Sequence, residues 1–391
     1  MSSPPAYKKI KMLDDENIEG ISGCDVLDNV YNRRQLTFKE QQEIILYKEV
    51  YYLGKLHVKR LNTVDLAPVN NGYDDSSHKY ICNMGDHIAF RFKILSKVGG
   101  GVFSDVYSAF DFKNSGIVSL KILKNCPKFI RQGKKELNIL EIIQEHNVNG
   151  EVPIIKFKEY LNFRNHMVFV CELLGPNLWN DMYMSKKLRD NPDKCFSEEK
   201  CKLIARQLLE GLQFIHSHKI IHCDLKPENI VTRSSLDSNN IKLIDFGSSM
   251  FETTKIITYI QSRYYRAPEL IFGQPFDTSI DIWSLGCIVF EMYTGIPLFK
   301  AKNETELLRL HINFLGYPPD DYIETSACKD KFFTSENELH DTTRCFPGSL
   351  QFNNFALKKP IYRFINSCLK WKPEDRITAS MGLEHDWFKS D

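Results

Sequence analysis

The sequence predicts an α+β protein with a bilobal fold, in which a small antiparallel β-sheet lobe with one key helix precedes a larger, mainly α-helical lobe. Short β-branched runs recur between Arg91 and Val170, which is typical of antiparallel strands. After Leu174 the apolar residues recur at spacings of three and four, which is typical of helices that pack on a core. The change of pattern predicts the boundary between the two lobes.

The segment before the sheet falls into two parts. Residues 1–35 are polar and show no clear periodicity, so we expect them to be disordered. Residues 36–91 begin with a helical and then aromatic stretch, LTFKEQQEIILYKEVYYLGKL, and continue through a turn-rich break. The Asn-Gly pair at Asn71 and Gly72 is a strong loop signal within that break.

The small lobe is expected to span residues 92–174. Its strands are predicted from the stretches RFKILSKV, VFSDVYSAF, IVSLKILKN and HMVFVCEL. One amphipathic helix interrupts them, in the stretch GKKELNILEIIQEH. The order predicts a hairpin-rich sheet with a single helix inserted between its strands.

The large lobe is expected to span residues 175–391. Ser197 is a suitable N-cap for a long helix, whose apolar positions are Cys201, Ile204, Leu208, Leu212 and Ile215. The most apolar run, Ile280 to Phe299, approaches the length of a membrane span but contains two acids and a proline. It therefore predicts a buried core helix.

Composition limits the classes of partner and the compartment. A net charge of +1 gives no electrostatic footprint for nucleic acid, and no stretch predicts membrane association. The eleven cysteines are odd in number and form no CxxC pair, which favours a reduced intracellular protein, cytoplasmic and/or nuclear. The KKIK run near the start is a weak nuclear signal, and a solvated chain terminus is the favoured interpretation.

The stretch IIHCDLKPENI places several chemically active side chains in one short run. Asp224 and Asn229 stand five positions apart with Lys226 between them, and Pro227 forbids a regular helix. This arrangement suits a loop that directs a base, a cation and a metal ligand at a single centre.

The glycines of KVGGGVFSDVYSAF lie between two β-type runs. They predict a strand–turn–strand, because the GK[ST] signature and following helix of a P-loop are both missing. Backbone without side chains can approach phosphates and offer its N–H groups. A hairpin turn without a ligand explains this stretch equally well when it is taken alone.

Lys121 sits within the otherwise apolar strand VSLKIL. A lysine there must be exposed or paired, because an unpaired buried ammonium is costly. Glu136, in the predicted helix fifteen residues later, is the candidate partner. The alternative is an edge-strand lysine and a surface glutamate.

The stretch IKLIDFGSS predicts a strand that delivers Asp245 to a loop opened by Gly247. A carboxylate at a strand end suits Mg²⁺, which prefers oxygen ligands. A helix cap is the alternative role for this residue.

These motifs occur together in one order along the chain. The order is glycine loop, strand lysine, helix glutamate, HxDxKxxN, DFG and then APE at Ala267 to Glu269. This is the order of the protein-kinase signature set, and the chain resembles that family from about Phe92 to Phe388.

Further motifs resemble one branch of the kinases. The HCD variant of the catalytic loop, DFGSS and YIQSRYYRAPEL resemble the dual-specificity tyrosine-phosphorylation-regulated kinase (DYRK) family within the CMGC protein kinases. LTFKEQQEIILYKEVYYLG, NNGYDDSSHKY and GDHIAFRFKIL are similar to the accessory segment and DH box that precede the kinase domain in class II of that family. Residues 36–91 are therefore interpreted as an N-terminal accessory region. A more distant CMGC kinase is the alternative.

The resemblance implies a role for each matched residue of the reacting centre. Asp224 is expected to accept the proton of the substrate hydroxyl, and Lys226 to neutralise charge on the transferring phosphoryl group. Asn229 and Asp245 are expected to hold two Mg²⁺ ions.

The resemblance also implies how ATP is held. Lys121, paired with Glu136, is expected to contact the α- and β-phosphates, and the backbone of Glu172 and Leu174 to hydrogen-bond the adenine. The loop expected to cover the nucleotide comprises Val98, Gly99, Gly100, Gly101, Val102, Phe103, Ser104, Asp105 and Val106.

Other matched positions are expected to be structural. His222 is expected to brace the catalytic loop, and Asp281 to anchor the same loop from the central buried helix. Glu269 is expected to pair with Arg376.

Cys223 stands where many kinases carry an arginine that binds an activation-loop phosphate. Another cation must therefore bind such a phosphate. Tyr259 is followed by two candidates, Arg263 and Arg266, at +4 and +7. In the resembled family the equivalent tyrosine is autophosphorylated, so we expect Tyr259 to be phosphorylated and bound by these two arginines. A packed, unmodified tyrosine is the alternative.

Three residues depart from the family pattern. Ser104 replaces the third glycine, with Asp105 beside it, and a carboxylate near phosphates is expected to weaken ATP binding or slow turnover. Cys171 replaces a bulky gatekeeper and is expected to leave a cavity behind the adenine. Ile257 stands where relatives often carry an additional tyrosine, which leaves Tyr259 as the candidate.

The expected substrates are proteins with Ser or Thr acceptors. By resemblance, Arg266 shapes a pocket for proline after the acceptor, and Glu228 attracts an arginine upstream of it. A pseudokinase scaffold is the competing function, and a metabolic small-molecule kinase is a third, disfavoured by the APE segment. The presence of the complete catalytic set favours an active enzyme.

Overall fold

The computed structural model describes residues 19–59, 69–188, 195–234, 237–253, 259–343, 345–352 and 356–389. The chain divides into two compact units. The first unit comprises the described residues up to 134 together with 156–173, and the second comprises 135–155 together with the described residues from 174 onwards.

Three short helices and six strands belong to the first unit. The helices are α1 (Gly23–Asp28), α2 (Val30–Arg33) and α3 (Phe38–Glu43), and α4 (Pro127–His146) begins in this unit and ends in the second. The strands are β1 (His87–Ile88), β2 (Phe92–Gly100), β3 (Ser104–Asp111), β4 (Gly116–Leu123), β5 (Phe157–Phe163) and β6 (His166–Glu172).

The six strands form one antiparallel sheet in the order β1-β2-β3-β4-β6-β5. Its buried face includes Phe92, Ile94, Val118, Leu120 and Val168, which alternate along their strands as half-buried strands require. The four predicted strands are confirmed. Strand β5 was not predicted, because the charged residues Lys158 and Glu159 interrupt the apolar residues of FKEYLNF.

The expectation of disorder through residue 35 is wrong for residues 19–35. Ser22 caps α1 by accepting a hydrogen bond from the N–H of Asp25, at 3.2 Å. Val26 is fully buried in a small apolar cluster with Ile44 and Val50. Helices of six and four residues are too short to show a periodicity, which explains the error; residues 1–18 lie outside the described residues.

The second unit is mainly helical. Its helices are α5 (Leu178–Leu188), α6 (Glu198–Ser217), α7 (Pro268–Phe272), α8 (Ser279–Thr294), α9 (Glu304–Leu315), α10 (Asp320–Glu324), α11 (Lys329–Phe332), α12 (Pro360–Cys368), α13 (Ala379–Leu383) and α14 (Asp386–Lys389). Two antiparallel pairs accompany them, β7 (Ile220–Ile221) with β10 (Met250–Phe251), and β8 (Ile230–Ser234) with β9 (Asp237–Leu243).

The two long helices are formed as their patterns predict. Ser197 caps α6 through a hydrogen bond from the N–H of Lys200, and the five predicted apolar positions are buried. Helix α8 is buried along nearly its whole length, including Asp281 and Trp283. Within the described part of the chain, no helix is long and apolar enough to cross a membrane.

Candidate active site

The glycine loop is the turn between β2 and β3, as the sequence predicts. Gly99 lies opposite Val106, and the N–H of Gly101 donates to the carbonyl of Ser104 at 2.8 Å. A Cβ placed on Gly99 or Gly101 would meet no heavy atom of the described chain within 4 Å. This face of the loop is therefore open to a ligand that approaches the backbone closely.

The carboxylate of Asp105 is paired. Its Oδ1 lies 2.8 Å from the Nζ of Lys79, and its Oδ2 lies 3.0 Å from the Nζ of Lys97. Burial alone would raise the pKa of Asp105, but hydrogen bonds and positive charge from the two lysines lower it. The sequence therefore identified the carboxylate beside the loop but missed both of its cationic partners.

Lys121 lies in an interior strand and Glu136 is buried. Strand β4 pairs with β3 on one side and with β6 on the other, so the alternative of an edge-strand lysine is wrong. Glu136, on α4, is 4% exposed, so the alternative of a surface glutamate is also wrong. The two residues belong to different units, and their pairing stays a prediction.

The end of β6 carries the residues expected near the adenine. Cys171 is buried, and the carbonyl of Glu172 accepts a hydrogen bond from Ser119 Oγ at 2.9 Å. The contact of the Glu172 backbone with adenine stays a prediction. Leu174 begins the second unit, and its role at the adenine stays a prediction.

The catalytic loop is anchored by the buried carboxylate of Asp281. Its Oδ2 accepts from the N–H of His222 at 2.8 Å, and its Oδ1 from the N–H of Cys223 at 3.1 Å. His222 in turn accepts at Nδ1 from the N–H of Asp224 and donates from Nε2 to the carbonyl of Ile244. The predicted roles of Asp281 and His222 in holding the loop are confirmed.

Asp224 lies at the centre of a group of polar side chains. Its Oδ2 accepts from Lys226 Nζ at 2.6 Å, and its Oδ1 accepts from Ser262 Oγ at 2.8 Å. Lys226 also reaches Ser262, at 3.3 Å. The arrangement fixes the direction of a carboxylate that is partly exposed, which is what a general base requires.

Asn229 and Asp245 offer the oxygen ligands that Mg²⁺ prefers. Asn229 uses its Nδ2 to donate to the backbone carbonyl and the Oδ2 of Asp224, at 2.9 and 3.2 Å, which directs its Oδ1 elsewhere. Asp245 has a left-handed backbone, with φ of 62°, and accepts from the N–H of Gly247. The donor set fits a hard divalent cation.

Tyr259 lies over a buried arginine. The guanidinium carbon of Arg266 is 3.6 Å from the centre of the Tyr259 ring, and Tyr259 as a whole is 69% exposed. The carbonyls of Ile260 and Gln261 hold Arg266 in place. Burial alone would raise the pKa of Tyr259, but hydrogen bonds and charge from Arg266 and Arg263 lower it.

Glu269 and Arg376 form a fully buried pair. The two guanidinium Nη atoms donate to the two carboxylate oxygens, each at 2.7 Å, and neither side chain is exposed. This bidentate geometry confirms the predicted pair and fixes the APE segment to the chain that precedes α13.

Sequence reasoning missed Ser262, although it lies within YIQSRYYRAPEL. The hydroxyl reaches Asp224 because Gln261 adopts a positive φ of 61° and donates its N–H to the carbonyl of Cys223. A hydroxyl next to the expected phosphate-binding arginines is the signal that points to it. Ile257 lies outside the described residues.

Comparison with known proteins places these features in one family. A family model for the protein kinase domain matches residues 92–388. The "Probable serine/threonine-protein kinase dyrk2" of Dictyostelium discoideum is 41% identical over 360 residues, 90% of this chain and 38% of that protein. Human dual specificity tyrosine-phosphorylation-regulated kinase 4 is 38% identical over 363 residues, 91% of this chain and 68% of that protein.

A third relative is dual specificity tyrosine-phosphorylation-regulated kinase 2 of Drosophila melanogaster, which is 37% identical over 372 residues, 91% of this chain and 50% of that protein. The chain thus spans between 38% and 68% of the length of these three relatives.

Proposed function

The chain belongs to the protein kinase family and, within it, to the dual-specificity tyrosine-phosphorylation-regulated kinases. On that premise we propose that it transfers the γ-phosphoryl group of ATP to Ser and Thr residues of protein substrates. We also propose that it phosphorylates its own Tyr259. Asp224 is the base, and Lys226 stabilises charge on the group in transfer.

The observation that carries this proposal is the set of contacts around Asp224. Lys226 and Ser262 donate to opposite oxygens of the carboxylate, at 2.6 and 2.8 Å. Asp281 accepts hydrogen bonds from the N–H groups of His222 and Cys223 and so fixes the backbone just before Asp224. A carboxylate fixed in this way accepts a proton from a hydroxyl in a defined direction, and the adjacent lysine offsets negative charge.

ATP and Mg²⁺ are the proposed cofactors. Asn229 and Asp245 would hold Mg²⁺, which when bound neutralises charge on the phosphate oxygens. The open face of the glycine loop leaves room for phosphates to approach the backbone N–H groups.

An Asp245→Asn variant tests this function. We expect its magnesium-dependent ATP turnover to fall by at least about 100-fold, because a neutral amide is a weaker ligand for Mg²⁺ than a carboxylate. Turnover is measured by release of ADP, with a protein substrate, with and without a chelator. Folded wild-type protein that binds ATP but does not turn it over would contradict the proposal and favour the scaffold.

Tyr259 is the proposed autophosphorylation site. A phosphate adds about −1.5 to −2 charges and accepts strong hydrogen bonds from arginine. Arg266 already lies against the ring, and its Nη1 atom is 3.1 Å from Glu304 Oε1. We infer that the phosphate takes this cation as its partner and thereby fixes the end of the activation loop.

We expect wild-type protein made in bacteria to carry one phosphate on Tyr259. A Tyr259→Phe variant should lose it and show about tenfold lower turnover, because one or more charge-assisted hydrogen bonds are lost. Intact mass, peptide mapping and kinase assays measure both effects. Tyr183→Phe, which changes an exposed tyrosine on α5, is the matched control. A fully active sample with unmodified Tyr259 would contradict the proposal.

The proposed substrate preferences rest on one residue near Tyr259 and one in the catalytic loop. Arg266 would shape a pocket for proline after the acceptor, and the exposed Glu228 would attract an arginine upstream of it. None of the eleven cysteines, all of which lie in the described residues, forms a disulfide, and this agrees with a proposed location in a reducing cytoplasm or nucleus.

A further inference from the structure

A turn ahead of the sheet is held rigidly at its base. Asp74 is buried and pairs in a β-bridge with Tyr80. One carboxylate oxygen of Asp74 lies 2.7 Å from His166 Nε2, and the other accepts from Asn125 Nδ2 at 3.1 Å. Because His166 lies on β6 and Asn125 follows β4, residues 74–80, hereafter the brace turn, are fixed to the sheet.

The tip of the brace turn is also fixed. Asp75 Oδ1 accepts from the N–H groups of Ser77 and Lys79, at 2.8 and 2.9 Å. The carbonyl of Lys79 accepts from the N–H of Asp75, and the carbonyl of His78 accepts from the N–H of Asn125. The backbone of Lys79 therefore has a defined position, from which its side chain extends.

The Lys79 side chain reaches the strand that returns from the glycine loop. Its Nζ lies 2.8 Å from Asp105 Oδ1, and the Asp105 side chain is 9% exposed. Lys97, on β2, contacts the other carboxylate oxygen and is 47% exposed. Of these two lysines, only Lys79 connects the carboxylate to a segment outside the β2–β3 hairpin.

The Asp105 carboxylate lies directly against the loop backbone. Gly100 is opposite Asp105 in the register, and a Cβ on Gly100 would lie 2.3 Å from Asp105 Oδ1. Gly100 therefore needs to be a glycine for this packing. The ion pair fixes the loop at the point where its third conventional glycine is replaced by Ser104.

We propose that Lys79 is a positioning residue for the nucleotide: through Asp105 it ties the glycine loop to the brace turn and so sets the affinity for ATP. The part of this proposal that concerns ATP affinity rests on the proposed function. Two effects act together, since the pair restricts the loop to one conformation and neutralises a carboxylate that would otherwise repel phosphates.

The first test uses nucleotide-free protein, so it does not depend on catalysis. In Lys79→Met we expect hydrogen exchange of the amides in Gly99–Ser104 to become several-fold faster, because the loop loses its tie to the brace turn. Lys113→Met is the matched control, because Lys113 pairs with exposed Glu49 away from the loop. Equal exchange in both variants would overturn the proposal.

The second test measures ATP binding and turnover. We expect Lys79→Met to raise the Kd and KM for ATP about fivefold with kcat unchanged within about twofold, as for a lost ground-state contact. Lys79→Arg should restore binding. In protein that already carries Asp105→Asn, Lys79→Met should not raise the Kd for ATP any further, because the partner of Lys79 is already uncharged.

The proposal would be overturned if Lys79→Met left the Kd for ATP unchanged. It would also be overturned if Lys79→Met raised the Kd as much in the presence of Asp105→Asn as in its absence. Circular dichroism melts confirm that each variant is folded. If the wild-type protein bound no ATP, the proposed function would fail, whereas the exchange experiment would still report on the tie between Lys79 and the loop.

Discussion

Replacing Asp224 with asparagine is expected to lower kcat for protein phosphorylation by about 1,000-fold, within the range for loss of a general base. The substitution keeps the size of the side chain but removes its ability to accept a proton. It also leaves Lys226, which lies 2.6 Å from the carboxylate, without its anionic partner there. ATP binding should change little, because Asp224 is expected to act on the substrate hydroxyl.

The measurement compares kcat and the Kd for ATP in wild type, Asp224→Asn and Asp181→Asn. Asp181 forms a partly exposed ion pair with Lys200 on the helical unit and has no proposed role in the reaction, so its variant should match the wild type. Asp224→Asn protein that kept a tenth or more of the wild-type kcat would show that another group accepts the proton.

Replacing Glu40 with alanine is expected to destabilise the first unit by about 3–5 kcal/mol, the usual cost of breaking a buried ion pair. Glu40 is 2% exposed and contacts Lys59 and His87 at 2.8 Å each and Arg164 at 3.2 Å. Its removal leaves Lys59, whose side chain is 1% exposed, as a buried cation without this partner.

The charges of this cluster have a consistent assignment. Burial lowers the pKa of His87 to about 3, so its ring is neutral, accepts at Nδ1 from the N–H of Phe90 and donates from Nε2 to Glu40. Burial alone would raise the pKa of Glu40, but His87 and Lys59 hold it well below its usual range. Glu40 is therefore an anion between buried cations, which joins α3 to the strands.

Denaturant unfolding, followed by far-UV circular dichroism, measures the loss of stability. Glu49→Ala is the matched control, because its ion pair with Lys113 is exposed and screened by solvent, so its loss should leave the unfolding midpoint nearly unchanged. Equal unfolding midpoints for Glu40→Ala and Glu49→Ala would contradict a structural role for the buried cluster.

The sequence predicts those features that depend on local pattern. Residues close together in the chain determine three of these features: the glycine hairpin, the strand that carries Lys121 and the loop from His222 to Asn229. The kinase signature then predicts that these pieces form one site. Its structural expectations for Asp281 and for Glu269 with Arg376 are confirmed by the contacts in the helical unit.

The features that were missed depend on partners far apart in sequence or on backbone conformation. Asp105 was expected to be unfavourable, yet Lys79, 26 residues earlier, supplies a cation to it. Ser262 reaches Asp224 through the left-handed backbone of Gln261, which is unusual for a residue other than glycine. No local pattern predicts the contact between Lys79 and Asp105. The neighbouring arginines mark Ser262 as a candidate site residue, but they do not predict its contact with Asp224.

The measurement that tests the central proposal most directly is a phosphosite map. Wild-type and Asp224→Asn protein are incubated with labelled ATP, Mg²⁺ and a basic model protein, and the labelled residues are identified by peptide mapping. We expect Ser and Thr label on the substrate and phosphate on Tyr259 in the wild type, with both missing from the variant. Folded wild-type protein that binds ATP and labels neither would contradict the assignment as an active kinase and favour a scaffold.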